Sequence, residues 1–183
     1  MLAFLLWLLG ASGLWLAATT LWSILVPERR LWPPTTPERS WIQRIGGIVG
    51  PGTNLVVVAV NVLGWGSLGL AAGLRLPLGA LLFTAGGYLA LGGVFALGMT
   101  QTHGGAGPLI ATGPYRVSRN PQYVGALLGY FGLALLCNSV EGLWGAWMMT
   151  PWLVLMPFAE EPWLREKLGA PYQQYCRRVR RYL

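Results

Sequence analysis

Charge is what this sequence most lacks. Only 10% of its 183 residues are Asp, Glu, Lys or Arg, where a soluble globular domain carries about 25%. With 54% hydrophobic residues and a mean hydropathy of +0.51, that shortage excludes an ordinary water-soluble fold and indicates a membrane protein. Histidine and cysteine are scarce too: His103 stands alone, beside Cys137 and Cys176. No metal-ligand spacing can be written with so few donors, so no metal site is expected. The N-terminus lacks a basic n-region and an obvious cleavage site, and its apolar run is long. It reads as a retained membrane helix rather than a secretion signal.

Apolar runs are what the chain has instead. Their lengths predict an all-α polytopic fold of about five transmembrane helices, over 2–26, 55–74, 77–99, 122–137 and 143–158. The last two are short for a span of about 20 residues, and Pro151 and Pro157 are candidates to kink helix 5. The whole chain, 1–183, reads as one membrane-embedded domain. Helices 1–3 and an interfacial linker fill 1–99; a loop, a helix 4–helix 5 hairpin and a tail with short cytoplasmic helices fill 100–183. Pro33, Pro34 and Pro37 stiffen the linker. After it Trp41, Ile42, Ile45, Ile48 and Val49 recur at helical spacing, away from Arg39, Gln43 and Arg44, as in a short helix lying in the interface. Small residues four apart, at Gly69/Gly73, Gly92/Ala96 and Gly125/Gly129, suit close helix packing in lipid. The glycines near the inner end of helix 3 could alternatively line a flat, adenine-like ligand.

With five spans, 12 of the 13 basic residues fall on one face and Arg75 alone on the other. This asymmetry predicts an outside N-terminus and a cytoplasmic C-terminus, in a bacterial or archaeal cytoplasmic membrane. Because the cations border membrane helices, the net charge of +7 points to anionic lipid headgroups as partners, not to nucleic acid. Cys137 and Cys176 are then on opposite sides of the bilayer and form no disulfide.

Two polar clusters interrupt the second half. The first is the stretch GPLIATGPYRVSRNPQY, residues 107–123. Asn120 followed by Pro121 starts a helix, and its positive end lies beside Arg116, Arg119, Gly107 and Gly113. Such a corner favours a ligand with negative charge or several acceptors. The second is Glu160-Glu161 at the end of helix 5, two carboxylates that are costly at a membrane border unless wet or paired. Both clusters fall on the cytoplasmic face, so Arg119 and the glutamates can pair or share a ligand. Beyond them, Pro162 and Pro171 each start a tail helix, and Arg177, Arg178, Arg180 and Arg181 form a basic edge. His103, just past helix 3, is read as a solvated loop residue.

The order Gly113-Pro114-Tyr115-Arg116, Arg119-Asn120-Pro121-Gln122-Tyr123-Val124-Gly125, Glu160-Glu161, Tyr172-Gln173-Gln174-Tyr175 and Val179-Arg180-Arg181 resembles one superfamily. It is that of the isoprenylcysteine carboxyl methyltransferases and phospholipid (phosphatidylethanolamine) N-methyltransferases, integral membrane enzymes. The resemblance covers the chain from about Gln101 onward. It implies S-adenosylmethionine as methyl donor, bound from the cytosolic side without a Rossmann domain and released as S-adenosylhomocysteine. By motif, it implies that Gln101, Leu109, Ile110, Tyr115, Asn120, Pro121, Tyr123, Glu160 and Glu161 border the cofactor, with Glu161 preferred for its ribose or ammonium. Arg119 and Glu161 are the residues it marks as catalytic. The acceptor is expected to be a membrane lipid or another lipophilic amine, thiol or carboxylate. Two departures narrow it. Asn120 stands where eukaryotic prenylcysteine enzymes carry His, and no arginine precedes the glutamates among Leu155, Met156, Pro157, Phe158 and Ala159. A prenylcysteine carboxylate is therefore disfavoured. Two other readings stand beside this one: an NADPH-dependent steroid-reductase-like membrane enzyme, and a non-catalytic scaffold whose acids and arginines are salt-bridged helix ends.

Overall fold

The computed structural model describes residues 1–34, 41–105 and 107–183. Pro37 and Arg39 lie outside the described residues. Within them the chain is all α: α1 (Leu2–Leu25), α2 (Trp41–Leu63), α3 (Ala72–Thr102), α4 (Pro121–Cys137) and α5 (Val140–Arg178). Short 3-10 turns at Pro27–Arg29 and Gly113–Arg116 lead into the linker and into α4.

Three helices, α1, α2 and α3, are long and apolar enough to cross a membrane, and α4 is a shorter apolar one. Their surfaces carry large apolar groups outward: Leu55 is 75% exposed and Phe95 84%. Exposed tryptophans mark both ends, Trp22 and Trp41 at one and Trp65 and Trp144 at the other, as in the aromatic belts of membrane proteins. This is an integral membrane protein.

Packing is uneven. Leu9, Val57, Val60, Tyr130, Ala146, Met149 and Leu153 form the buried core where α1, α2, α4 and α5 meet. Helix α3 packs almost wholly on α4. Glycines seven apart on α3 (Gly79, Gly86, Gly93) face Gly125 and Gly132 on α4, also seven apart. A methyl at Gly86 or Gly125 would strike the opposite backbone. The seam therefore uses a spacing of seven, not the pairs four apart. At Gly129 there is open space, Gly69 lies in a turn, and Gly92 and Gly93 pack on Pro114 and Gln122 rather than on a ligand slot.

Several boundaries differ from those expected. The interfacial segment and helix 2 are one helix, α2, which runs through Pro51 and ends at Leu63. Residues 64–71 are apolar, but Gly66 (φ 83) and Gly69 (φ 71) make them a turn, tied to the α4–α5 corner by Leu68 N–H donating to Asn138 O at 2.8 Å. Helix α3 begins at Ala72, so Pro77 lies inside it. The prolines of α5 do not end it: Pro162 starts no new helix, and the one residue with non-helical backbone angles is Gly169, at φ 58 and ψ −137. Gly98, at φ 78 and ψ 159, breaks α3 in the same way. A side chain at either position would be strained, and both breaks turn helix ends toward the site.

Candidate functional site

At the end of the bundle opposite Met1, a cavity of about 170 Å³ is bounded by five parts of the chain, one of them the linker at Pro33. The broken end of α3 gives Leu97, Gln101 and Thr102, and the following loop gives Gly104, Gly105 and Gly107. The start of α4 supplies Arg119, Asn120, Gln122 and Tyr123, preceded by Tyr115. Helix α5 contributes Glu160, Trp163, Leu164, Lys167 and Leu168. The polar corner and the acidic pair, 40 positions apart in sequence, thus meet at one place. Pro121 fixes the first turn of α4 as expected, but Asn120 makes no side-chain cap. Its amide instead donates to Glu161 Oε1 at 3.4 Å and to Arg181 O at 3.1 Å.

The two adjacent carboxylates have separate surroundings. Glu161 is 1% exposed. Arg119 engages both its oxygens, at 2.9 and 3.1 Å, Arg181 donates to it at 2.9 Å, and Arg165 stands 3.8 Å away. Burial alone would raise its carboxyl, but hydrogen bonds and charge from Arg181 and Arg119 hold it below the usual range. Glu160 faces the cavity. Its Oε1 accepts from Trp32 Nε1 at 2.5 Å and from the Tyr123 hydroxyl, and Oε2 takes no hydrogen bond among the described residues. Burial pushes the Glu160 carboxyl up, against those two hydrogen bonds, and the neighbouring Glu161 adds to the rise. One helix step therefore separates a carboxyl whose pKa arginines lower from one whose pKa burial raises.

Elements far apart in sequence set these positions. Ser23, in the last turn of α1, accepts from Leu31 N at 3.0 Å and Trp32 N at 3.1 Å, which fixes the linker so that the Trp32 indole reaches Glu160. The tail after Gly169 folds onto the start of α4. Arg119 N donates to Arg180 O at 2.9 Å, and Tyr175 donates its hydroxyl to Tyr115 O at 2.7 Å. The Arg119 guanidinium also reaches Cys176 O and Val179 O, at 3.0 and 3.2 Å. Its donors are thus engaged within the protein, while Arg116 is exposed. Gln122 donates to Thr102 Oγ1 and Tyr115 Oη, both at 3.2 Å, and ties α3 to α4. Burial pushes the Tyr115 phenol up to about 12, so it remains a neutral hydroxyl.

Of the residues expected at a cofactor, Gln101, Tyr115, Asn120, Tyr123 and Glu160 line the cavity, as does Arg119. Leu109, Ile110, Pro121 and Glu161 are not among its lining residues; Pro121 instead packs on α3 near Gly93. Trp32, Trp163 and Lys167 carried no visible motif. Trp32 lies in a proline-rich linker, and the other two could be recognised only once α5 was known to continue past Pro162 in one register. His103 sits at the end of α3 with its ring Nδ1 2.8 Å from Met99 O. Cys137 and Cys176 are both free thiols.

Comparison with known proteins places this arrangement. The family model described as phospholipid methyltransferase matches residues 74–170, from the first turns of α3 to the break at Gly169. The match starts before the motifs described above and stops short of the Tyr172–Tyr175 tail. Comparisons with curated proteins and with solved structures return no match. The matched region is more than half of the chain and contains both walls of the cavity, and the chain belongs to the phospholipid methyltransferase family of integral membrane methyltransferases.

Proposed function

We propose that this membrane methyltransferase uses S-adenosylmethionine, held in the cavity between α3, α4 and α5, and methylates a lipophilic acceptor arriving sideways from the bilayer. The supporting observation is that the N-terminus of α4, the glycine loop and the acidic end of α5 converge on one space. The residues present fit the cofactor. Lys167 and the glycine-loop backbone suit its carboxylate, Glu160 and Gln101 suit its ammonium and ribose hydroxyls, and Leu97, Trp163, Leu164 and Leu168 offer an apolar slot for adenine. When bound, the cofactor supplies an activated methyl on a sulfonium, so the protein's task is alignment and exclusion of water.

Each residue has a physical role in that task. Glu161 holds Arg119, Asn120 and Arg181 together, and so sets the position of the α4 N-terminus without touching the cavity. This assigns Arg119 and Glu161 to positioning. Tyr123 and Trp32 orient Glu160, the one carboxylate among the described residues that lines the cavity. The face bearing the cavity also carries the basic tail, which suits a cytoplasmic, anionic leaflet.

Calorimetry on purified protein in nanodiscs tests the reading. S-adenosylhomocysteine is expected to bind and NADPH not to. Binding of NADPH alone would return the steroid-reductase reading, and silence with both would leave a scaffold. Lys167→Ala is expected to lower the affinity for S-adenosylhomocysteine about tenfold.

A further inference from the structure

Apart from Pro33, every described residue that lines the cavity lies within the matched region, 74–170. One wall therefore comes from outside that region, from the linker Leu31-Trp32-Pro33-Pro34 that follows α1. Leu31 and Trp32 line a second space, a groove of about 510 Å³ in the membrane-spanning part, so this short segment borders both spaces.

The linker is held from two sides. The Ser23 hydroxyl, 3% exposed, donates to Thr19 O at 2.8 Å and accepts from Leu31 N at 3.0 Å and Trp32 N at 3.1 Å. That uses its donor and both its lone pairs. From the other side, Arg30 Nε donates to Pro33 O at 3.2 Å.

Held in this way, Trp32 touches two parts of the cavity wall. Its Nε1 donates to Glu160 Oε1 at 2.5 Å. Its ring lies against the glycine loop: a methyl added at Gly104 would come within 3.3 Å of the ring and 2.9 Å of Pro34. A half-buried indole needs one acceptor, and any backbone carbonyl would serve. Here it takes the one carboxylate among the described residues that lines the cavity. Tyr123 bonds the same oxygen from α4, which leaves Oε2 for a ligand. A carboxylate ordered beforehand loses less side-chain freedom when a ligand binds, and that raises affinity for the group it meets.

Resting on the proposed use of S-adenosylmethionine, we infer that Trp32 is a positioning residue that makes the site selective for the amino-acid end of the cofactor. It fixes Glu160 and the glycine loop relative to each other, and these are the parts assigned above to the ammonium and the carboxylate. The selectivity thus depends on a linker that α1 delivers through Ser23, outside the region shared with the family.

Calorimetry on the full-length protein in nanodiscs tests this with two ligands, S-adenosylhomocysteine and its deaminated analogue, in which hydrogen replaces the α-amino group. The wild type is expected to bind S-adenosylhomocysteine at least about tenfold more tightly than the analogue. Trp32→Phe keeps a ring and removes the N–H. It is expected to bring the two affinities within about twofold of each other, through weaker binding of S-adenosylhomocysteine, while the unfolding temperature stays near that of the wild type. Ser23→Ala frees the linker without altering the indole, and should narrow the same gap. Equal binding of the two ligands by the wild type overturns the inference. So does a gap that persists in either variant, including one in which both affinities fall together, since a merely structural tryptophan would act that way. Failure of the wild type to bind S-adenosylhomocysteine at all overturns instead the cofactor reading on which the inference rests.

Discussion

Glu160 and Glu161 differ by one position, about 100° around a helix, and that rotation gives them different work. Glu161 is a buried anion shared by Arg119 and Arg181. Removing one member of such a cluster strands the others. Glu161→Ala is expected to cost about 3 kcal/mol, seen as a lower unfolding temperature in detergent and faster hydrogen exchange in 171–181. Its pH dependence has a definite sign. An unfolded glutamate titrates near about 4.3 and the folded one below that. The stabilisation is therefore complete above that value and is lost as pH falls through the folded pKa. Wild type should exceed Glu161→Gln in stability at pH 6, with the gap closing in stronger acid. Glu160 behaves oppositely, because its folded pKa is raised. Its contribution is complete below about 4.3 and declines as pH rises through the folded value. Glu160→Gln should accordingly gain on wild type in stability as pH rises above the usual carboxylate range. A melting-temperature series of the two variants against pH reads both signs at once, and parallel curves would refute the division of labour. The sequence shows two adjacent acids at a costly place. It could not show which one faces the cavity, because that depends on the angle at which α5 meets α4.

Between elements, the seam of α3 against α4 rests on absent side chains. Gly125 lies against the Ala90 backbone, whereas Gly129, one turn on, has nothing within 4 Å. Gly125→Ala should therefore push the helices apart and lower thermal stability. Gly129→Ala should be neutral or stabilising by up to about 1 kcal/mol, the usual helix preference for alanine. Equal losses at both would mean that the seam lies elsewhere. Residue type alone placed both positions in one small-residue pair, since a spacing of four and a spacing of seven both keep one helix face. The legible boundaries were those with a chemical marker. Asn120-Pro121 starts α4 within one residue of the expected place; the Ser139 cap, accepting from Gly142 N at 2.9 Å, starts α5 at Val140, three residues before the expected 143. The illegible ones were set by glycine among apolar residues. Residues 64–71 are hydrophobic enough to extend a span, and only φ values of 83 and 71 at Gly66 and Gly69 exclude it. Conversely, Pro51 and Pro162 look like stops yet sit inside helices, each at the cost of one backbone hydrogen bond.

Across the whole molecule, the cavity closes only because the chain's end returns to its middle. Ser118, Arg119 and Asn120 all bond to carbonyls of Arg180 or Arg181, and Tyr182 donates to Val154 O at 2.7 Å. The family match ends before this tail, so the clasp is a feature of the chain as folded rather than of the matched region. It also gathers charge at one end. Arg30, Arg116, Lys167 and Arg178 lie at the cavity end, while Arg75, donating to Leu136 O at 2.7 Å, lies at the opposite end, where Ser67 donates to Glu141. Because cytoplasmic loops retain arginine and lysine, we propose that the cavity faces the cytoplasm. In a background lacking Cys137 and Cys176, a membrane-impermeant maleimide should label Trp65→Cys in intact cells. It should reach Arg178→Cys only after lysis. Both sites are exposed, so failure to react would report sidedness rather than burial. Labelling of position 178 from outside would put the cavity on the face away from cytosolic S-adenosylmethionine, and the proposed supply of methyl groups would fail with it.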